Sequence, residues 1–326
     1  MKALVYKDVE HMVFDDVPNA EPGASEHLIR VEAVGICGSD MHAYLGHDAR
    51  RPAPLILGHE AAGVIVDGLR AGDRVTINPL VSCGQCAACR TGRENLCPDR
   101  QIISMPPREG AFAQYVSMPG RNLVDVPEDV SFAKAALAEP LAVGWHAVRL
   151  GIEALHSAMD RRALVIGGGA IGLAAALALR AQGIEDVTIA EPNALRRAYL
   201  AEIESFALVD APNGSFPLVI DAVGYAATRS VASALAAPGG VIAHVGLGED
   251  AGGLDVRRMT LQEITFIGTY TYTAQDFRDT AQAIFDGRLG ALNWVDERAL
   301  ADGAQAFRDI RSGSVAAPKI ILRPWG

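Results

Sequence analysis

Apolar and polar side chains alternate from Met1 to Lys7, and short runs of the same kind recur at 28–31, 62–66, 74–77 and 112–116. Gly, Pro and Asp punctuate the stretches between them. A period of two with such breakers predicts strands joined by turns, so the chain up to about His146 reads as mostly β. The alanine-rich segment 132–150 has helical composition. From Ala163 onward strand-like and helix-like patterns alternate. Strands are predicted at 163–166, 187–190, 206–209, 218–221, 241–245 and 264–267, with helices at 173–182 and 194–203, and a last helix near 301–310 precedes a strand at 319–322. Such alternation implies a parallel sheet with crossover helices. Between 206 and 217 the chain is too short for a helical crossover, which takes a dozen or more residues, so the sheet is expected to be abbreviated there. The fold class is α/β: a β-rich part with an inserted, doubly wound parallel sheet.

One run, 163–179, is apolar or glycine throughout and lies between Arg162 and Arg180. It sits at the lower edge of the ~17–25 residues a membrane span needs. The three glycines Gly167, Gly168 and Gly169 would break a helix there, and strand, turn and helix account for the run without a membrane. With 326 residues, 50% hydrophobic and 21% charged, the chain can bury a core large enough for two domains. Its formal net charge of −10 disfavours nucleic acid and anionic membranes as partners. The five cysteines all fall in metal-like sets, and the first residues carry no export signal, so a reducing, cytoplasmic location is expected.

Cys83, Cys86 and Cys89 are separated by two residues each, and Cys97 follows on the return of the loop. This spacing can wrap four thiolates around a tetrahedral Zn²⁺ at Zn–S near ~2.3 Å. A shell closed in that way leaves no position for substrate, so its role is structural; free thiols or loop disulfides are the alternative. Gly167, Gly169 and Gly172, with Ala170 and Ile171 between the last two, form G-x-G-x-x-G directly after a predicted strand and at the start of a helix. That is the context in which the motif cradles a pyrophosphate. Glu191 lies 19 positions beyond Gly172 at the end of the next predicted strand. An acidic group there accepts both ribose hydroxyls and repels a 2′-phosphate, which favours NAD over NADP. Arg196 and Arg197 could admit NADP in part, or form a solvated helix face. Cys37, His59 and Glu139 each have an ordinary reading when taken singly: a small core residue, a satisfied imidazole, a helix-start carboxylate.

Taken together, Cys37-Gly38-Ser39-Asp40, Gly58-His59-Glu60, the four-cysteine run, Glu139-Pro140-Leu141 and the glycine loop occur in one order. In that order the chain resembles, end to end, the zinc-dependent medium-chain dehydrogenase/reductase family. Its Glu139-Pro140-Leu141 looks like the sorbitol, idonate and galactitol dehydrogenase branch. The resemblance implies a GroES-like catalytic domain over 1–147 plus 288–326, carrying the structural zinc lobe, and an inserted Rossmann domain over 148–287. It implies two zinc ions per chain, a catalytic one on Cys37, His59 and Glu139 with water or Glu60 completing the shell, and a structural one on Cys83, Cys86, Cys89 and Cys97. Zinc lowers the pKa of a bound hydroxyl, Ser39 would take the alcohol proton, and His42 would pass it toward solvent. Arg196, Val223, Val245 and Thr271 match places that line the family's cofactor.

The implied activity is NAD-dependent oxidation of a small-molecule secondary alcohol: a sugar alcohol, sugar or sugar acid. The implied assembly is a homodimer or homotetramer, with 264–272 extending the sheet between copies. Two departures weigh against sorbitol itself. Thr271 lies between Tyr270 and Tyr272 where the branch commonly has an arginine, and Ala43 stands where sorbitol dehydrogenases have a tyrosine. Arg50 and Arg51 could offer cations to an acidic substrate, or be plain surface charge. Alternatives are a threonine-3-dehydrogenase-like or simple-alcohol dehydrogenase, and a catalytically silent nucleotide-binding protein on the same fold.

Overall fold

In the computed structural model, which describes residues 1–326, the alternating N-terminal run forms β1 (Lys2–Asp8), paired antiparallel with β2 (His11–Asp16). Then follow β3 (Glu26–Gly35), α1 (Gly38–Tyr44), β4 (Leu55–Ile56) against β1, and β5 (Glu60–Ile65) against β3. Next, β6 (Arg74–Ile77) pairs with β5. A small pair, β7 (Leu80–Val81) and β8 (Gln101–Ile102), brackets a loop that carries α2 (Ala87–Arg90). β9 (Tyr115–Pro119) returns to β3, and β10 (Leu123–Asp125) to β6. The predicted strand over 112–116 therefore starts only at Tyr115, because the Phe112 carbonyl accepts from the Leu4 amide and the Gln114 amide donates to Lys2. The helical segment 132–150 is two helices, α3 (Phe132–Ala136), capped by Ser131, and α4 (Ala138–Ala154).

After α4 come β11 (Arg162–Ile166), α5 (Ala170–Ala181), β12 (Asp186–Ala190), α6 (Ala194–Ile203) and β13 (Ala207–Val209). The series continues with β14 (Phe216–Asp221), α7 (Ala226–Leu235), β15 (Ala236–His244), α8 (Val256–Leu261) and β16 (Thr265–Gly268). These strands form one parallel sheet in the order β13-β12-β11-β14-β15-β16. The order reverses between β11 and β14, the switch point at which doubly wound sheets bind ligands. No helix joins β13 to β14, as the short 206–217 segment requires. The apolar run 163–179 divides between β11 and α5, and no helix is long and apolar enough to cross a membrane.

The chain ends with α9 (Ala274–Phe285), β17 (Val295–Ala299), α10 (Gly303–Ser312) and β18 (Lys319–Arg323), the last inserted between β3 and β17. Contacts divide the chain into Met1–Glu139 with Thr273–Asp286 and Trp294–Gly326, and Pro140–Tyr272 with Gly287–Asn293. The boundary expected after Ala147 falls inside α4, and α9 groups with the first unit because it packs on α3. Each unit has a core of its own: Leu4, Ile29, Leu57, Phe112 and Phe307 in the first, Leu164, Ile166, Val219 and Ile242 in the second.

Candidate active site

Cys37 is the N-cap of α1, and Asp40, three residues on, closes the capping box by accepting the Cys37 amide at 2.9 Å. The other Asp40 oxygen accepts the Gly58 amide at 3.2 Å. One buried carboxylate thus joins the loop after β3 to the loop before β5. It also lies 3.4 Å from His59 Nδ1, while Ser39 Oγ is 3.5 Å from His59 Nε2. Burial alone would depress the His59 pKa, but the Asp40 charge outweighs it and holds the imidazole well above its ordinary range. Conversely, burial would raise Asp40, yet His59 and Arg51 draw its carboxyl below the usual value.

The ligand atoms of Cys37, His59 and Glu60 lie within 4.8 Å of one another. Glu60 pairs with Gly35 across the β3–β5 ladder, and its carboxylate fills the space a side chain at Gly35 would take, within 2.0 Å of that Cβ position. Oε1 accepts from Lys319 Nζ at 2.6 Å, and the same ammonium donates to the Ile36 carbonyl at 2.9 Å. Oε2 is buried without a partner. An orphaned carboxylate oxygen beside a thiol and an imidazole is a donor set that fits a Zn²⁺. Glu139, buried in the first turn of α4, lies outside the 4.8 Å set, though its charge contributes to Lys319. Ser39 is half-buried and His42 is exposed on α1.

In the four-cysteine lobe, Cys86 Sγ and Cys83 Sγ lie 3.5 and 3.9 Å from Cys89 Sγ, and Cys97 joins them within 4.8 Å. A zinc tetrahedron with Zn–S of ~2.3 Å has edges of about 3.8 Å, so the sulfurs already hold the shape. The amides of Cys86, Cys89 and Cys83 point at the sulfurs of Cys83, Cys86 and Cys97 at 3.4 to 3.5 Å. Amides of Gln85 and Cys86 pull the Cys83 thiol down to about 7, whereas burial pushes Cys97 up to about 11. Metal binding must therefore expel protons there.

At the switch point, Gly167 has φ of +97° and its amide donates to Ala190 O at 2.8 Å. A Cβ on Gly172 would stand 1.8 Å from Gly167 O. Ala170 and Ile171 open α5, with the unsatisfied amides of a helix start. Glu191 is already engaged: Oε2 accepts the Gly168 amide at 2.9 Å and Oε1 the Asn193 amide at 2.8 Å. Each oxygen keeps a second lone pair for a ribose hydroxyl. Val223 and Val245 follow the ends of β14 and β15 and are half-buried, and Arg196 is half-buried on α6, beside Arg197, which donates to Glu191 O at 2.7 Å. Thr271 has φ of +46°, costly for a β-branched residue, and its hydroxyl is buried without a partner. Gly172→Ala should force the turn open and weaken NADH binding more than about tenfold, ~1.4 kcal/mol, read by fluorescence titration.

The Arg50–Arg51 pair is committed elsewhere. Arg50 grips Asp48 through Nε at 2.8 Å and its terminal nitrogen at 3.0 Å, and Arg51 reaches the same carboxylate at 2.6 Å. Despite partial burial, the two guanidiniums hold Asp48 down at about 2. Asp40 and Lys319 were not expected among the functional residues. Asp40 had a readable signal, the capping-box spacing after Cys37; Lys319, at the start of β18 ahead of three apolar residues, had only that contrast.

Two family models match the chain, one described as alcohol dehydrogenase GroES-like domain over residues 23–128 and one as zinc-binding dehydrogenase over 170–286. L-galactonate-5-dehydrogenase of Escherichia coli (strain K12) is 31% identical over 310 residues, covering 89% of each protein. Sorbitol dehydrogenase of Bacillus subtilis (strain 168) is 38% identical over 205 residues, 60% of this chain and 57% of that protein. The crystal structure of an Escherichia coli oxidoreductase/dehydrogenase of unknown specificity superposes with a TM-score of 0.89 at 26% identity, covering 99% of this chain and 98% of that one.

Proposed function

The chain belongs to the zinc-dependent medium-chain dehydrogenase/reductase family, and we propose that it oxidises the secondary hydroxyl of a sugar alcohol, sugar or sugar acid with NAD as hydride acceptor. The observation that carries this reading is the meeting of Cys37, His59 and Glu60 within 4.8 Å, a donor set suited to zinc. Bound there, zinc supplies the Lewis acidity that eases loss of a hydroxyl proton. In this reading Cys37, His59 and Glu139 hold the ion with Glu60 or a water beside them, and the four cysteines hold a second, structural one. Asp40 accepts from His59 Nδ1 and so leaves Nε2 for the metal. Ser39 takes the alcohol proton, and His42, exposed on the same short helix, passes it to solvent.

Gly167, Gly169, Ala170, Ile171 and Gly172 receive the pyrophosphate, and Glu191 the adenosine ribose. Arg196, Val223, Val245 and Thr271 line the rest of the dinucleotide. The named relatives, an L-galactonate and a sorbitol dehydrogenase, support a polyhydroxylated substrate. A cytoplasmic homo-oligomer fits this reading, with β16 at the sheet edge available to a second copy. A panel of polyols, aldonates, amino alcohols and simple alcohols, followed by NADH absorbance with zinc present, tests the assignment. Turnover is expected within the polyol and aldonate group; rapid oxidation of threonine or a simple alcohol, with none of a polyol, would overturn it.

A further inference from the structure

His59 offers Nε2 toward Ser39 and keeps Nδ1 for a partner behind it. Two acceptors stand at the same distance from Nδ1: Asp40 Oδ1 at 3.4 Å and Ser104 Oγ at 3.4 Å. Asp40 also accepts the amides of Cys37 and Gly58, so the ring is only one of three groups that it serves. Ser104 is fully buried and has φ of +70°, a conformation that few non-glycine residues adopt. Its carbonyl is held by buried Arg51, whose Nε donates at 3.1 Å while its terminal nitrogen is anchored on Asp48 at 2.6 Å. On its N-terminal side, the Ile103 amide is tied to Pro79 O at 3.3 Å beside the β7–β8 pair. Backbone strain maintained by a buried guanidinium, with a hydroxyl aimed at a candidate ligand, marks a built position.

We propose that Ser104 is a positioning residue for His59: its hydroxyl shares the Nδ1 hydrogen with Asp40 and fixes the ring plane in which Nε2 meets a metal. The inference rests on the reading of Cys37, His59 and their acidic neighbours as a metal set. Arg51 and Asp48 serve the same end by locking the Ser104 backbone, which gives this buried arginine a task other than meeting substrate.

The test replaces zinc with Co²⁺ in the full-length protein and measures affinity at the open set by chelator competition and by its visible absorption, apart from the thiolate bands of the four-cysteine lobe. Two variants separate the hydroxyl from the backbone. Ser104→Ala removes only the hydroxyl, and Ser104→Gly removes it while relieving the left-handed strain. Both are expected to weaken Co²⁺ at the open set about tenfold, the lower end for loss of an outer hydrogen-bond partner because Asp40 remains, and to shift its visible bands, with the lobe unaltered. Wild-type affinity and spectrum in either variant would overturn the proposal. If the wild-type protein takes up Co²⁺ at the lobe alone, the metal reading of the open set fails first, and is distinguished from failure of Ser104 by that stoichiometry.

Discussion

Cys37→Ser is expected to give a folded chain that holds about one zinc instead of two and has lost nearly all alcohol turnover. The backbone of residue 37 does the folding work: its amide meets Asp40, and its carbonyl accepts from the amides of Asp40 and Met41 at 3.1 and 3.2 Å. Serine preserves all of this and is itself a favoured N-cap. What disappears is a thiolate. A serine hydroxyl does not ionise near neutral pH and is a harder, weaker donor to a borderline-soft ion. Loss of a direct ligand should exceed the 10–100-fold that loss of an outer partner brings, so turnover should fall by more than ~100-fold. Elemental analysis reads the missing ion, and a melting temperature within a few degrees of wild type, with NADH still bound, separates lost chemistry from lost fold. Unchanged turnover would remove Cys37 from the reaction.

Local spacing explains which parts of this molecule are legible in sequence. The four cysteines lie within 15 residues and the glycine loop within six, so each site is written on one short segment whose folding depends on itself. The strand–helix alternation from Ala163 was equally readable, because a parallel sheet buries both faces and leaves apolar runs. β15 starts earlier than its pattern predicts: it begins at Ala236 and runs through Pro238, Gly239 and Gly240, residues that signal a turn, yet the ladder to β14 overrides them after an irregularity in register. The assignment of α9 to the first unit has no local signal, since nothing in 274–285 names its packing partner. The least readable feature is Lys319. It meets Glu60 across 259 positions, and neither periodicity nor spacing predicts that the charge opening the last strand ends beside the loop that carries His59.

That pairing yields the largest expected effect on stability. Lys319 Nζ and Glu60 Oε1 stand 2.6 Å apart with side-chain exposures of 3% and 0%. Burial would lower the lysine pKa, but the charges of Glu60, Cys37 and Glu139 outweigh it and hold the pKa above the ordinary 10.5. A group whose folded pKa is raised contributes fully below its unfolded value and loses that contribution as pH climbs through the folded one. The pair therefore acts undiminished through the neutral range. Lys319→Met strands a carboxylate among buried groups, and breaking such a pair from one side typically costs about 3–5 kcal/mol. Urea unfolding between pH 6 and pH 9 should give that loss with little change across the interval, because the lysine it removes is fully charged throughout. Adding Glu60→Gln to Lys319→Met should recover most of the loss, since a neutral amide needs no counter-charge. A double variant no more stable than Lys319→Met alone would mean that the lysine stem packs β18 against β3 and that its charge is incidental, while full recovery would identify the ammonium's charge, set against the Glu60 carboxylate, as what the fold depends on.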